Sequence, residues 1–231
     1  MRVLKHSIML CSLATALAGE PTHVSKFLVD NEILFYDTES KKLEKRYIHY
    51  ADISNLREVL QANPRITELV LNSEGGQLNA ALEMGRIIAD FKLITSVGQT
   101  CLSACVILLA AGRERRLKTG ASVGLQRPYW RQADLVDYYS DNKDSESWDD
   151  IFEFSEWLYD DAQLTLAEYL NFMLGQEIDF RFLLASLRYR KLQMWYPARA
   201  TLMESNLITT AHEPSNQTPI LPDTMSEISM R

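Results

Sequence analysis

The stretch from Leu93 to Gly112 reads L-I-T-S-V-G-Q-T-C-L-S-A-C-V-I-L-L-A-A-G. A β-branched, apolar run (Leu93, Ile94, Val97) gives way at Gly98 to a small polar turn, and a continuous apolar run from Ala104 to Ala111 stops at Gly112. The pattern predicts a strand, a sharp turn and a buried helix. The turn places Ser103 at the mouth of that helix, where unpaired backbone N–H groups favour negative charge. Two roles fit it. Ser103 either caps the helix or is a nucleophile whose tetrahedral oxyanion is held by neighbouring amides.

Upstream, Ile66 to Leu71 is a second β-branched and leucine-rich strand that runs into Asn72-Ser73-Glu74-Gly75-Gly76. Paired glycines at a strand's end permit backbone conformations and close approaches that side chains block. The helix that follows, Gln77 to Phe91, carries Leu78, Ala81, Leu82, Ile88 and Ala89 on one stripe. Strand, helix and strand from Ile66 to Val97 make a right-handed crossover in a parallel sheet. Both glycine-containing turns then fall at the C-terminal ends of neighbouring strands, where open α/β sheets place their sites. The chain has neither a G-x-G-x-x-G fingerprint nor a P-loop lysine element.

Before this unit, the segment from His23 to Arg46 predicts a hairpin or edge strands built on Ile33 to Tyr36 and the charged run T-E-S-K-K-L-E-K-R. Tyr47 to Tyr50 reads as a short strand. Asp52 is expected to cap a helix from Ile53 to Ala62, with Leu56, Val59 and Leu60 on one face and Asn63-Pro64 at its end. Beyond Gly112, the cations Arg113, Arg115, Arg116 and Lys118 read as a solvated loop before a strand from Ala121 to Leu125. From Asp134 to Asp161 there are eleven acids against one base, Lys143, with five aromatics between Trp148 and Tyr159. Its first half reads as a solvated loop and Ile151 onward as an amphipathic helix whose charged face is solvated or meets a partner or divalent cations. Helical regions follow at Leu164 to Met173, Asp179 to Arg190 and Trp195 to Glu204, then a short strand at Leu207 to Thr209. The tail from Glu213 has the composition of a disordered segment.

With 231 residues, 46% of them hydrophobic, the chain suffices for one sizeable α/β domain. Arg2, Lys5 and the apolar run from Ile8 to Leu17, followed by Ala16-Leu17-Ala18, predict a signal peptide over residues 1–18 that is too short for a permanent membrane anchor. Its removal leaves 22 cations against 31 acids, a net charge of −9. An acidic, exported domain is a poor binder of nucleic acid, and the expected location is the bacterial periplasm. Cys101 and Cys105 flank Ser103. In an oxidising compartment they form a disulfide if their Cα atoms lie about 4.4–6.8 Å apart. The alternatives are two inert buried thiols, or redox or metal chemistry, the last without further Cys or His nearby in sequence.

Four segments in order, L-V-L-N-S-E-G-G at 69–76, G-Q-T-C-L-S-A-C at 98–105, G-L-Q-R-P at 124–128 and M-W-Y-P…E-S-N-L-I-T at 194–209, give the chain its resemblance. It resembles the proteolytic-subunit branch of the Clp/crotonase superfamily, and more closely exported bacterial Clp-like proteins of mostly unassigned function. The resemblance covers roughly residues 45–210. It implies an α/β spiral of ββα units with a mainly parallel sheet, carrying here an acidic helical insertion at 129–165 of a domain spanning 46–210, with N-terminal strands or an extension at 19–45 and a tail at 211–231. It also implies Ser103 as nucleophile, an oxyanion hole from the Gly75-Gly76 turn and the Ala104 amide, a peptide or protein ligand, assembly with further copies of the chain, and no cofactor or metal.

The departures from the family pattern bear on chemistry. The catalytic histidine's position holds Gln126, and an amide takes no proton from serine near neutral pH. Near Tyr189, where the orienting aspartate falls, there is no carboxylate, and Glu74 stands where the family has proline. Signal-peptide peptidases of the superfamily pair serine with lysine, which makes Lys118 one alternative base and His49 another. The sequence therefore supports two functions: a serine hydrolase with an unusual base, or an inactive peptide-binding or scaffold protein on the same fold.

Overall fold

The computed structural model describes residues 25–41, 43, 45–189 and 193–210. The expected leader, His23, His212 and the tail at 211–231 lie outside the described residues.

Strands β1 (Phe27–Asp30) and β2 (Ile33–Asp37) form an antiparallel hairpin. Its turn is Asn31-Glu32, with Asn31 at φ 55°, rather than the charged run after Tyr36. Asparagine tolerates the left-handed region, so the tight turn forms here. The Ile33 to Tyr36 run is not an edge: β2 pairs in parallel with β3 (Glu68–Ser73), Ile33 to Asp37 against Glu68 to Asn72. The hairpin therefore belongs to the main sheet, and a boundary at residue 45 does not separate it.

Tyr47 to Tyr50 is not a strand; Ile48 alone makes a parallel bridge, to Gly76. Helix α1 (Ala51–Ala62) buries Leu56 and Leu60 and ends at Asn63, whose backbone N–H and Nδ2 both donate to the Val59 carbonyl. Asp52 does not cap this helix from outside but sits in its first turn. Its carboxylate accepts from Lys26 Nζ (2.8 Å), the Tyr36 hydroxyl (2.7 Å) and the His49 N–H (2.9 Å). That carboxylate thus joins the hairpin, the Ile48 segment and α1.

The core unit is β3, α2 (Leu78–Asp90) and β4 (Ile94–Leu102), with β3 and β4 parallel. The sheet order is β1-β2-β3-β4, continued by β5 (Glu114–Leu117), while β6 (Ser122–Gly124) also pairs with β4. Strand β4 does not turn at Gly98. Residues 94–97 pair with β5 and residues 100–102 with β6, so the backbone of the polar stretch stays in a ladder. The turn is delayed to Ser103-Ala104 and leads into α3 (Cys105–Ala110), all six residues of which are buried.

The basic run after Gly112 is strand β5, not a solvated loop. Arg115 is buried and donates to the carbonyls of Ala110, Gly112 and Asn206, while Arg116 pairs with Glu114 and Glu68. Leu207 to Thr209 does not become a strand; it is tied to β5 by the Thr209 N–H donating to the Arg115 carbonyl.

The acidic segment is also more ordered than its charge suggests. Where a loop was expected stands α4 (Gln132–Asn142), and α5 runs unbroken from Ile151 to Gly175, merging two expected helices. Asp150 caps α5, accepting from the Phe152 and Glu153 N–H groups. Rings of Tyr138, Tyr139, Trp148, Phe154 and Trp157 pack between α4 and α5 with centroids 5.0–6.3 Å apart, a small apolar core beneath the acids. The far half of α5 buries Tyr169 and Met173 and lays Phe172 against Gly85 of α2. Helices α6 (Phe180–Ser186) and α7 (Arg199–Glu204) complete the layer. Among the described residues no helix is long and apolar enough to cross a membrane.

The Asp52 cluster yields a stability prediction. Its side chain is 5% exposed and that of Lys26 10%, so Asp52→Ala leaves the Tyr36 hydroxyl without its acceptor and a nearly buried ammonium without its counter-charge, still donating to the Tyr47 carbonyl (2.7 Å). Chemical denaturation is expected to show a loss of about 3–5 kcal/mol; a loss below about 1 kcal/mol contradicts this role.

Candidate active site

Ser103 sits on a left-handed turn, at φ 54°. Its N–H donates to the Gly124 carbonyl (2.9 Å) and its own carbonyl accepts from the Val106 N–H (3.0 Å). The side chain makes no cap bond to α3, which disposes of the capping role and leaves the hydroxyl facing the cleft. A non-glycine residue costs about 1 kcal/mol or more in this conformation; here the β6 ladder and the start of α3 hold it there.

The Gly75-Gly76 turn lies directly against this serine. Gly75 has φ 104°, and a Cβ on it would stand 2.7 Å from the Leu102 carbonyl oxygen and 2.9 Å from the Ser103 Cβ. Gly76 is pressed on its other side against the Ile48 backbone, which donates to the Gly75 carbonyl (2.8 Å) and accepts from the Gln77 N–H (2.9 Å). The Gly75 N–H is used by Ser73 Oγ (3.1 Å). The Gly76 and Ala104 N–H groups have no acceptor among the described residues. Across a trans peptide the N–H points opposite to the carbonyl. With the Gly75 carbonyl turned to Ile48, the Gly76 N–H is therefore aimed toward the Ser103 side.

Gln126 completes the group. Its Nε2 donates to Ser103 Oγ at 3.0 Å. The backbone just before it is pinned by two 2.8 Å bonds between Leu125 and Trp195. Tyr189 stacks on the Trp195 ring at 5.5 Å, so the region where an orienting carboxylate was sought is aromatic. Ser103, Ala104 and Gln126 line a recess of about 20 Å³ whose walls are Leu78, Val106, Ile107, Leu125, Pro128 and Tyr169. Burial pushes the Tyr169 phenol up to about 12, which keeps it neutral and unable to take a proton from serine.

The two alternative bases stand elsewhere. His49 Nδ1 accepts from the Ala51 N–H and Nε2 lies 3.2 Å from Lys45 Nζ; desolvation and the Lys45 charge lower its pKa. The Lys118 N–H donates to the Val97 carbonyl, six residues and roughly 20 Å of strand before Ser103. Neither residue lines the recess.

Cys101 and Cys105 are bonded, with Cα atoms 5.2 Å apart, and the bridge spans the Ser103 turn from β4 to α3. The described residues hold no group of three or more His, Cys, Asp or Glu side chains placed to bind a metal. Three participants escaped the sequence reading: Ile48 as the clamp on Gly76, Tyr169 as a wall, and the donor role of Gln126 toward serine. Only the alternation of apolar Ile48 with polar neighbours hinted at the first.

Neither a protein-family model nor a curated protein matches the sequence. Among solved structures the chain is similar to a point mutant of ClpP1 from Listeria monocytogenes, with a TM-score of 0.52 and 9% identity over 70% of this chain and 84% of that one. It is similar to a structure described as an enzyme, with a TM-score of 0.51 and 15% identity over 78% and 94% of the two chains. A peptidase from Plasmodium falciparum aligns with a TM-score of 0.48 and 15% identity over 79% and 95%. The chain has a ClpP-like fold.

The glycine turn can be tested against a control within the chain. Gly120 also has positive φ (81°), but a Cβ there meets nothing within 4 Å. Gly120→Ala is expected to cost about 1 kcal/mol from backbone strain alone, and Gly75→Ala about 2–4 kcal/mol because collision with the Leu102–Ala104 backbone is added. Equal losses in urea denaturation contradict the close approach.

Proposed function

We propose that this is an exported protein on a serine-peptidase fold that holds a peptide in the Ser103 recess without hydrolysing it. The hydrogen bond from Gln126 Nε2 to Ser103 Oγ carries the reading. For serine to attack a carbonyl its proton must pass to a base as the new C–O bond forms. Gln126 offers a donor there, and its amide oxygen in the opposite orientation is too weak a base to serve. Tyr169 is neutral, and His49 and Lys118 are absent from the recess. What remains, two amides without an acceptor among the described residues and a hydroxyl beside apolar walls, supports binding of a carbonyl-bearing ligand. The bonded Cys101 and Cys105 agree with export to an oxidising compartment such as the bacterial periplasm. Self-assembly, implied by the Clp-like resemblance, is part of the reading.

One observation favours a second reading, a hydrolase whose base is delivered by a neighbouring copy or by an unusual group. Ser103 retains a strained, left-handed backbone beside unpaired Gly76 and Ala104 amides, the arrangement expected of an exposed nucleophile with an oxyanion hole.

Intact-mass analysis after fluorophosphonate treatment separates the two. No adduct is expected on the folded, disulfide-bonded protein; a stoichiometric adduct abolished by Ser103→Ala establishes the hydrolase. Gln126→His restores a proton acceptor beside the serine. Because no carboxylate orients it, the adduct is expected to form slowly, at a rate about 10⁴-fold below that of a complete relay. Rapid labelling of this variant would mean that an orienting acid is in place after all.

A further inference from the structure

Resting on the binding reading above, we infer that the Ser103 recess is a carboxylate site that takes the free C-terminus of a peptide ending in a small apolar residue. The argument is a count of donors. A peptide carbonyl inside a chain presents one oxygen and is satisfied by two N–H groups, here those of Gly76 and Ala104. A carboxylate presents two oxygens and a full charge, and asks for three or four donors.

The recess supplies the additional ones because histidine is replaced by glutamine. Where histidine accepts the serine proton, the hydroxyl is committed to the base. Gln126 Nε2 donates to Ser103 Oγ instead, occupying one of the oxygen's two lone pairs, and the O–H proton is left to point elsewhere. It has no acceptor among the described residues, and the second Nε2 proton of Gln126 has none there either. Ala104, Ser103 and Gln126 line the recess and offer three donors from two separate segments, the Gly76 turn lies against the same serine, and no carboxylate lines the recess to oppose an anion. Capture of a terminal carboxylate by backbone amides and neutral donors is a recurrent solution to peptide-end recognition.

The walls define what precedes the carboxylate. Leu78, Val106, Ile107 and Tyr169 turn apolar surface toward the ligand. Such walls suit a small apolar terminal residue such as alanine and leave a charged one without a partner.

The test uses the whole protein and two dye-labelled probes, N-acylated Leu-Ala-Ala with a free C-terminus and the same peptide as its C-terminal amide, measured by fluorescence anisotropy. The free acid is expected to bind at least about tenfold tighter than the amide. Gln126→Glu, which replaces a donor by an anion while keeping the shape, should abolish that preference, and Gln126→Leu should reduce it. Equal binding of acid and amide overturns the carboxylate site while leaving peptide binding intact. Binding of neither overturns both, and cleavage of the amide probe, followed by mass spectrometry, overturns the non-hydrolytic reading.

Discussion

The structure depends on how closely one piece of backbone passes between two others. Gly75 and Gly76 lie with the Leu102–Ala104 backbone on one side and Ile48 on the other, at distances that admit no Cβ on either residue. Everything at the recess follows from this wedge. It turns the Gly75 carbonyl toward Ile48, and with it the Gly76 N–H toward the serine. It brings the first turn of α2, with Leu78, to the wall of the recess. It also requires the segment before α1 to be held firmly, which the Asp52 carboxylate does by gathering Lys26, Tyr36 and the His49 N–H.

On this frame Ser103 keeps a left-handed backbone and its hydroxyl meets an amide donor, Gln126. A strained serine backbone is maintained only when its surroundings over-determine it, and three restraints converge here: the β6 ladder, the buried α3 and the Cys101–Cys105 bridge. The acid-base side is filled differently. Gln126 supplies a hydrogen to the serine oxygen, and Trp195, paired with the preceding Leu125, stacks on Tyr189 and meets Phe182 at a tilt.

The acidic helices α4 and α5 show how composition misleads when packing is ignored. Eleven carboxylates would favour a solvated loop, but five rings shield one another between the helices, and α5 continues into the body of the domain. The rings meet one another while most of the carboxylates around them stay exposed, a separation that a count of acids does not register.

Local patterns in the sequence determined a good deal. The strand-helix-strand unit, the buried α3, the glycine turn and the place of Ser103 before α3 are written in short-range periodicity and turn chemistry, because burial period and backbone permissiveness are properties of neighbouring residues; the Clp-like architecture and the place of Gln126 came from the resemblance of four ordered segments. What only the tertiary structure decided depends on long-range partners. Strand β4 runs past Gly98 because β6, twenty residues on, continues its ladder. The basic run became a strand because Glu68, Asn206 and the Ala110 carbonyl receive its charges. The serine contacts an amide donor and neither His49 nor Lys118, since the residues that approach a side chain in space are set by the path of the whole sheet and not by their distance along the chain.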